Sequence, residues 1–215
     1  MGRTQLYTSD QILDGARDLV LGEGVTAATI GNIARASGAP PGSIYYRFDS
    51  REALLAQLWI RAVERAQQHS ITAVEAVLSA GGGAADAVVA GGLSIFDFAL
   101  AEPADAQLLV TMRRTDLIRS PLPPPLIQRL DALNRPVTLL IGKLARQLLG
   151  QSSAHTRELI TLAVFDLPYG SIRRHLLAGT TPPAAHRSYL ELAIRAVIAA
   201  TPTQAREGRT RDDPL

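Results

Sequence analysis

Two short amphipathic segments flanking a proline-rich turn, within Thr29–Phe48, constrain the fold more than any other feature of the sequence. Thr29 can cap the first segment, which ends at Gly38, and glycine suits the left-handed residue that closes a helix. Pro41 fits the first position of the second segment, because its fixed φ favours a helix and no amide hydrogen is needed there. The sequence therefore predicts two short helices joined by a tight turn.

The second of these helices has two chemically different faces. At about 100° per residue, Ile44 and Phe48 share a face that can pack on the preceding helix. The other side carries Gly42, Ser43, Tyr46 and Arg47, with Tyr45 on its flank. A helix of about two turns is marginal alone, so packing must hold it in place. Such a pair is the helix-turn-helix arrangement, which inserts its second helix into the major groove of DNA.

The outward side chains of this helix have the chemistry of a DNA contact surface. Gly42 permits close approach of the backbone, Ser43 can bond a base edge or a phosphate, and tyrosine hydroxyls can hold phosphates. Arg47 and Arg51 supply cationic donors. The alternative is that the tyrosines are ordinary surface residues and the prolines only end a loop. The capped helices around the motif favour the DNA-binding interpretation.

Helical periodicity continues through the rest of the chain, and alternating strand patterns are missing. Thr8 and Gln11 can form a capping box for the first helix, which stops at Gly22 and Gly24. Asp49 and Glu52 suggest a weaker capping pair for the fourth helix. The fourth helix ends at the break Ser79–Gly83. Later helices are predicted at 84–102, 104–118, 126–149 with a bend at Pro136, 154–178 with an interruption at Pro168, and 183–200, with a turn at Ser120–Pro125.

These segments predict an all-α protein of about nine helices in three parts. Residues 1–50 form a three-helix helix-turn-helix DNA-binding domain, and residues 51–200 form a larger helical domain. Residues 201–215 read as a disordered tail. The fourth helix connects the first part to everything downstream.

Composition excludes several classes of protein. The net charge is only +2, so a nucleic-acid partner must be argued from arrangement rather than from bulk charge. There is no cysteine, and the polar N-terminus has no signal-peptide core. Asp86 and Asp97 interrupt the longest apolar stretch, residues 84–101, so we expect a cytoplasmic protein without a membrane helix. The four histidines are dispersed and no phosphate-binding loop occurs, so we expect no enzyme, no metal and no cofactor.

The segment TAATIGNIARASGAPPGSIYYRFDSREALL resembles the DNA-binding signature of TetR-type transcriptional regulators. The resemblance implies that Thr29 caps the second helix and touches the DNA backbone, and that Arg3 belongs to an N-terminal arm. It also implies that Pro41, Gly42, Ser43 and Tyr46 face the groove, and that Tyr45 and Arg51 hold phosphates. The chain departs from the pattern at three positions, with Pro40 in place of a capping serine, Gly31 in place of a contact residue and Arg47 in place of a common histidine.

The last two helices are apolar on more than one side. In the final helix, Leu190 and Ile194 mark one stripe, whereas Tyr189 and Leu192 mark a second. A helix apolar on two sides lies in a core or at a subunit interface. The family resemblance implies that these helices pair with their symmetry mates, so we expect a homodimer.

The resemblance further implies an effector cavity in residues 51–200. Candidate ligand-binding residues are Trp59, Phe96, Met112, Arg113, Phe165 and Tyr169. The apolar members would line the cavity and Arg113 or Arg114 would meet an acidic or carbonyl group, whereas the alternative is that the apolar side chains fill the core and the arginines are solvated.

The sequence thus predicts a ligand-responsive regulator, more specifically a repressor, that binds a near-palindromic operator as a homodimer and is released by a largely apolar small molecule. A competing interpretation is a helical ligand-binding or scaffolding protein whose DNA-binding module has degenerated. Pro40 and Gly31 are the residues that favour the competitor.

Overall fold

The computed structural model describes residues 7–118 and 121–200. The arm expected at Arg3 and the tail expected from residue 201 lie outside these ranges. The described residues form only helices: α1 Ser9–Glu23, a 3-10 turn Val25–Ala27, α2 Ile30–Ser37, α3 Pro41–Phe48, α4 Arg51–Ser79, α5 Ala84–Ala101, α6 Pro103–Thr111, α7 Arg114–Leu117, α8 Pro124–Ala132, α9 Arg135–Leu149, α10 Ala154–Thr161, a π-helical segment Leu162–Asp166, α11 Leu167–Leu177 and α12 Ala185–Ala200. The all-α prediction is confirmed.

Local signals place the first helices as predicted. The Thr8 hydroxyl accepts from the Gln11 amide at 3.1 Å, and the Gln11 side chain accepts from the Thr8 amide at 2.9 Å. The Thr29 hydroxyl accepts from the amide of Asn32 at 3.2 Å, and Gly38 ends α2 with φ of +72°. The predicted caps of α1 and α2 are therefore confirmed.

The predicted cap of α4 is wrong by one residue. The Ser50 hydroxyl, not the Asp49 carboxylate, accepts from the amide of Ala53 at 3.0 Å. Asp49 instead has a positive φ of 59°, and its amide donates to the Tyr45 carbonyl at 3.1 Å. Asp49 therefore closes α3, and the next residue opens α4.

Three downstream predictions are also corrected. The segment 104–118 forms two helices, because Met112 and Arg113 are extended between α6 and α7. The segment 126–149 forms α8 and α9 rather than one bent helix, and Pro136 is the second residue of α9, where no amide donor is needed. Pro168 does not break its helix. The change there is the π-helical segment just before it, in which the Leu167 amide donates to the Leu162 carbonyl.

The described chain divides into two compact units. The first contains residues up to His69, Asp97–Pro136 and Ile172–Pro182, and the second contains Ser70–Phe96, Val137–Ser171 and the residues from Pro183 onward. Residue 50 lies inside the first unit, so the helix-turn-helix shares a compact unit with α6, α7 and α8. A functional boundary at residue 50 stays a prediction.

Two apolar clusters of described residues lie in the core of the first unit. The larger one joins α1, α2 and α3 to α4 and α6 through fully buried side chains that include Ile12, Ile33, Ile44, Phe48 and Leu108. Helices α1 and α2 approach closely at Gly15, where an added Cβ would lie 3.0 Å from the Ser37 amide nitrogen. The smaller cluster joins α4 to α8 through Ala56, Ile60, Leu126 and Leu130 among others.

The second unit has its own close-packed interior. An added Cβ at Gly92 of α5 would lie 2.5 Å from Ile194 Cδ1 and 2.8 Å from the Ala163 carbonyl oxygen. The Ser94 hydroxyl donates to the Gly91 carbonyl at 2.6 Å and lies 2.7 Å from the Ser70 hydroxyl, from which it can accept, so this buried polar pair is satisfied. A glycine at position 92 thus allows α5 to touch both α12 and the π-helical segment.

Helix α5 is long and apolar enough to cross a membrane by length and composition alone. Its apolar window is 56% buried inside the protein, which is typical of a core helix.

Candidate nucleic-acid interface

Helix α3 is fixed by its inner face and leaves its outer face free. Ile44 and Phe48 are 0% and 1% exposed, so this helix is anchored in the core as predicted. Tyr46 is 86% exposed and Tyr45 is 52% exposed. Apart from its chain neighbours and the backbone of its own helix, no atom lies within 4 Å of the position that a Cβ of Gly42 would occupy. The outer face of α3 is therefore open to a partner.

The N-terminus of α3 is built without a side-chain cap. Pro40 occupies the N-cap position and Pro41 the first helical position, and no side chain caps this end of the helix. The Pro40 carbonyl accepts from the amides of Ser43 at 2.9 Å and Ile44 at 3.2 Å. Pro41 and Gly42 are exposed and Ser43 is half-buried. The Gly42 amide, to which none of these bonds is assigned, can therefore donate to a phosphate oxygen.

Arg47 is committed to contacts inside the module. Its guanidinium donates to the Ser43 hydroxyl at 2.6 Å, to the Ser43 carbonyl at 3.1 Å and to the Tyr7 carbonyl at 2.8 Å. These bonds tie α3 to Tyr7, the residue before the N-cap of α1. A contact between Arg47 and DNA stays a prediction, and the structure gives Arg47 a positioning role.

Arg51 also bonds within the protein. Its Nε donates to the Ala28 carbonyl at 2.7 Å, and its Nη2 donates to the Val25 carbonyl. Its Nη1 lies 3.3 Å from the carboxylate of Glu52. The first residue of α4 thus holds the turn that leads into α2. The predicted contact of Arg51 with a phosphate is not tested by these bonds.

A buried carboxylate that the sequence analysis missed joins three helices of the first unit. Asp105 of α6 is 0% exposed, and its two oxygens accept from Arg17 of α1 at 3.0 Å and from Arg65 of α4 at 2.8 Å. Burial opposes ionisation, but the hydrogen bonds from Arg65 and Arg17 outweigh it and lower the pKa of Asp105. Sequence spacing could not reveal this site, because the partners lie 88 and 40 residues away.

The candidate ligand-binding residues are distributed over both units. Trp59, Met112 and Arg113 lie in the first unit, whereas Phe96, Phe165 and Tyr169 lie in the second. Two of these candidates, Met112 and the exposed Arg113, line a cavity of about 110 Å³. The other residues that line it are Val25, Arg51, Glu52, Leu55, Thr111, Asp116 and Leu117.

The three candidates in the second unit differ in exposure. Phe96 is fully buried, whereas Phe165 is 48% exposed and stacks on Tyr169 with ring centroids 5.7 Å apart. Across residues 7–118 and 121–200, no group of three or more acidic or histidine side chains is arranged to hold a metal ion.

Comparisons with known proteins agree with this geometry. Residues 12–58 match the family described as bacterial regulatory proteins, tetR family. The HTH-type transcriptional regulator AlkX of Mycobacterium tuberculosis (strain ATCC 25618 / H37Rv) is 32% identical over 110 residues, which are 51% of this chain and 51% of AlkX. The chain thus matches about half the length of that relative.

Solved structures share the fold over most of the chain. The fatty acid degradation regulator FadR from Bacillus halodurans superimposes with a TM-score of 0.63 at 16% identity, covering 87% of this chain and 98% of that one. A bacterial regulatory protein of the tetR family from Rhodococcus RHA1 gives a TM-score of 0.63 at 18% identity, covering 88% and 96%. At these identities the likeness establishes the architecture.

Proposed function

Because the chain carries a helix-turn-helix domain of the tetR family at residues 12–58 and the fold of that family's regulators, we propose that it is a ligand-responsive transcriptional repressor. The observation that carries the proposal is the two-faced helix α3, which buries Ile44 and Phe48 and exposes Tyr45 and Tyr46. A helix held in this way presents its outer side chains to a major groove without cost to the core.

The DNA-binding part of the proposal assigns roles to the outer face. Pro41, Gly42, Ser43 and Tyr46 face the groove, while Tyr45 and Arg51 hold phosphates. Thr29 contacts the DNA backbone from the start of α2, and Arg47 orients Ser43 through the 2.6 Å bond. One such helix per half-site reads a near-palindromic operator, with half-site centres about one or more DNA turns apart.

An electrophoretic shift on the DNA upstream of the protein's own gene tests this assignment. We expect Tyr46→Ala to weaken binding about tenfold or more, because one lost base or phosphate contact is worth about 1–3 kcal/mol. Leu139→Ala is the control, since Leu139 is 63% exposed on α9 and belongs to no proposed contact. Equal binding by wild type and Tyr46→Ala would refute the regulator proposal.

A homodimer is the second part of the proposal. In the second unit, large apolar side chains face solvent on the π-helical segment and on α12: Leu162 at 36%, Phe165 at 48%, Tyr189 at 67% and Leu192 at 66%. The other stripe of α12 is used inside the chain, since Leu190 and Ile194 are buried. An operator with two half-sites needs two copies of α3, so we assign the exposed stripe to a second copy of the chain.

Sedimentation of matched variants tests the dimer. We expect Leu192→Glu to shift the protein toward monomer, because the interface would bury an unpaired charge. Leu139→Glu makes the same chemical change at an equally exposed leucine of the second unit and is expected to leave the dimer intact. A monomeric wild type, or equal behaviour of the two variants, would contradict this assignment.

Release by an effector completes the proposal. A small, largely apolar molecule bound in the region of residues 51–200 would favour a state with the two recognition helices at the wrong separation. Helix α4 is the proposed lever, because it follows the DNA-binding module directly. A coupling of about 1–3 kcal/mol would weaken DNA binding some 5- to 150-fold. This role needs no catalysis, cofactor or metal, and it places the protein in the cytoplasm with its operator.

A scaffolding or ligand-binding protein with an unused module is the competing function. The uncapped N-terminus of α3 at Pro40 and the absence of a side chain at Gly31 favour it. The same shift experiment decides between the two, since the competitor predicts no specific DNA binding by the wild type.

A further inference from the structure

The guanidinium of Arg47 joins the outer face of α3 to the residue before the N-cap of α1. Its Nη1 donates to the Ser43 hydroxyl at 2.6 Å and to the Ser43 carbonyl at 3.1 Å, and its Nη2 donates to the Tyr7 carbonyl at 2.8 Å. Tyr7 in turn packs against the larger apolar cluster of the first unit. The two terminal nitrogens therefore have separate anchors, which hold the guanidinium in one orientation beside Ser43.

This contact decides the direction in which the Ser43 hydroxyl forms its next hydrogen bond. A guanidinium has no acceptor, so the Ser43 oxygen is the acceptor in the 2.6 Å bond. The hydroxyl carries one hydrogen, and among residues 7–118 and 121–200 no group accepts it. An oxygen that accepts from a charged group also becomes a stronger donor through its own hydrogen. Ser43 therefore offers a hydrogen-bond donor to a partner.

Ser43 lies on the part of α3 that a partner can approach closely. Gly42 before it has no side chain, and Tyr46, which is 86% exposed, follows one turn later on the same face. Ile44 and Phe48 hold the opposite face in the core. Ser43 itself is half-buried, so an acceptor must come close to the helix to reach its hydroxyl.

The positive charge of Arg47 favours the same kind of partner. All three of its bonds go to neutral oxygens, and within the described part of the chain no carboxylate is paired with it. Arg51, by contrast, lies 3.3 Å from the carboxylate of Glu52. An unpaired cation attracts acceptor atoms and repels amino hydrogens. The surroundings of Ser43 therefore favour a base edge that carries acceptors alone.

The four bases differ in what they present in the major groove. Guanine presents two adjacent acceptors, N7 and O6, whereas adenine has an acceptor beside an amino group, thymine an acceptor beside a methyl group, and cytosine an amino group. We propose that Arg47 fixes Ser43 as a donor that recognises guanine in each half-site of the operator. Ser43 makes the contact, and Arg47 is the positioning residue. This assignment rests on the proposed function, because it names a base that the recognition helix reads.

Selection of a randomised duplex library by the full chain measures the base preference at each position of the operator. We expect the wild type to select guanine at the position where Ser43→Ala has no preference. Inversion of that G·C pair replaces the two acceptors by the amino group of cytosine. It is expected to weaken binding by the wild type about tenfold and to leave binding by Ser43→Ala unchanged.

Variants of Arg47 test whether it acts through Ser43. Arg47→Leu is expected to bind the original and the inverted pair equally, and the double variant with Ser43→Ala is expected to lose no further preference. Arg35→Leu is the matched control, because Arg35 is an exposed arginine of the same module that bonds Asn32 within its own helix. The control is expected to bind all sequences more weakly and to keep the preference for guanine.

A conservative variant separates positioning from loss of folding. Arg47→Lys keeps the positive charge but has one nitrogen in place of the two that contact Ser43 and Tyr7. Its preference for guanine is expected to lie between those of the wild type and Arg47→Leu. The melting temperature of each variant shows that the module is folded under the conditions of the selection.

Four results would overturn the inference. They are selection of any base other than guanine at the position that depends on Ser43, equal weakening of all sequences by Ser43→Ala, as a phosphate contact would give, full preference in both Arg47 variants, or loss of preference in the Arg35 control. A wild type that selects a sequence and gives one of these results refutes the role of Arg47 and Ser43 alone. A wild type that selects no sequence refutes the regulator function with it.

Discussion

Replacement of Asp105 by asparagine is the sharpest test of how the first unit is held together. Asp105 accepts from Arg17 at 3.0 Å and from Arg65 at 2.8 Å, and its side chain is fully buried. Asparagine preserves the size of the side chain and one oxygen. It removes the negative charge and turns an amide donor toward one of the two guanidinium groups. The substitution therefore breaks one charge-assisted bond and weakens the other.

The expected cost follows from these contacts. A hydrogen bond to a charged group contributes about 1.5–3 kcal/mol to the free energy of unfolding. Removing one partner of a buried ion pair lowers that free energy by about 3–5 kcal/mol, because the other charge stays buried without compensation. The loss here is smaller, because the Arg65 side chain is 40% exposed and can turn to water, and because Arg17 also lies 3.2 Å from Asp18. We therefore expect Asp105→Asn to lower the free energy of unfolding by about 2–4 kcal/mol.

Urea unfolding at neutral pH measures this loss through the transition midpoint, with an unchanged slope. Glu64→Gln is the control, because Glu64 pairs with Arg129 at 2.8 Å on an exposed surface and its loss is expected to cost no more than about 0.5 kcal/mol. An Asp105→Asn protein as stable as this control would refute the argument that the buried carboxylate holds α1, α4 and α6 together.

The pH dependence supplies an independent check. The folded protein lowers the pKa of Asp105, so the carboxylate contributes stability above its unfolded pKa of about 3.9. That contribution is lost as the pH falls from there through the folded pKa. The difference between wild type and Asp105→Asn should therefore be constant above about pH 5 and shrink below about pH 4. A difference that grows on acidification would contradict the assigned direction.

Two further substitutions test packing and capping. Gly92→Ala is expected to lower the free energy of unfolding by about 1–3 kcal/mol, because its Cβ would lie 2.8 Å from the Ala163 carbonyl oxygen. Thermal melts measure this loss. In the same melts the control Gly170→Ala is expected to be neutral or stabilising, because its Cβ would lie in open space. Pro40→Ser is expected to raise the free energy of unfolding by about 0.5–2 kcal/mol, because a serine hydroxyl could accept from the Gly42 amide at the start of α3. An unchanged or lower melting temperature would show that this end needs no cap.

The helix-turn-helix could be predicted because its signals act over three or four residues. Thr8 and Gln11, Thr29 and Gly38 bond or turn the chain within one helical turn, so a short segment contains both partners. The buried anchors Ile44 and Phe48 follow from helical spacing in the same way. Two conformational changes near prolines could not be predicted. A proline removes one backbone hydrogen bond of a helix, but it does not specify how the chain responds. The helix ends before Pro136, whereas it widens into a π-helical segment before Pro168.

The sequence by itself therefore determined the class of fold, the caps of the first helices and the two faces of α3, since each depends on local geometry. Only the tertiary structure decided which polar groups meet across the chain. It directs Arg51 to the Val25 and Ala28 carbonyls, pairs Asp105 with Arg17 and Arg65, and leaves Trp59 Nε1 without an acceptor. These outcomes depend on packing between segments far apart in the chain, and helical periodicity carries no information about which segments will pack together.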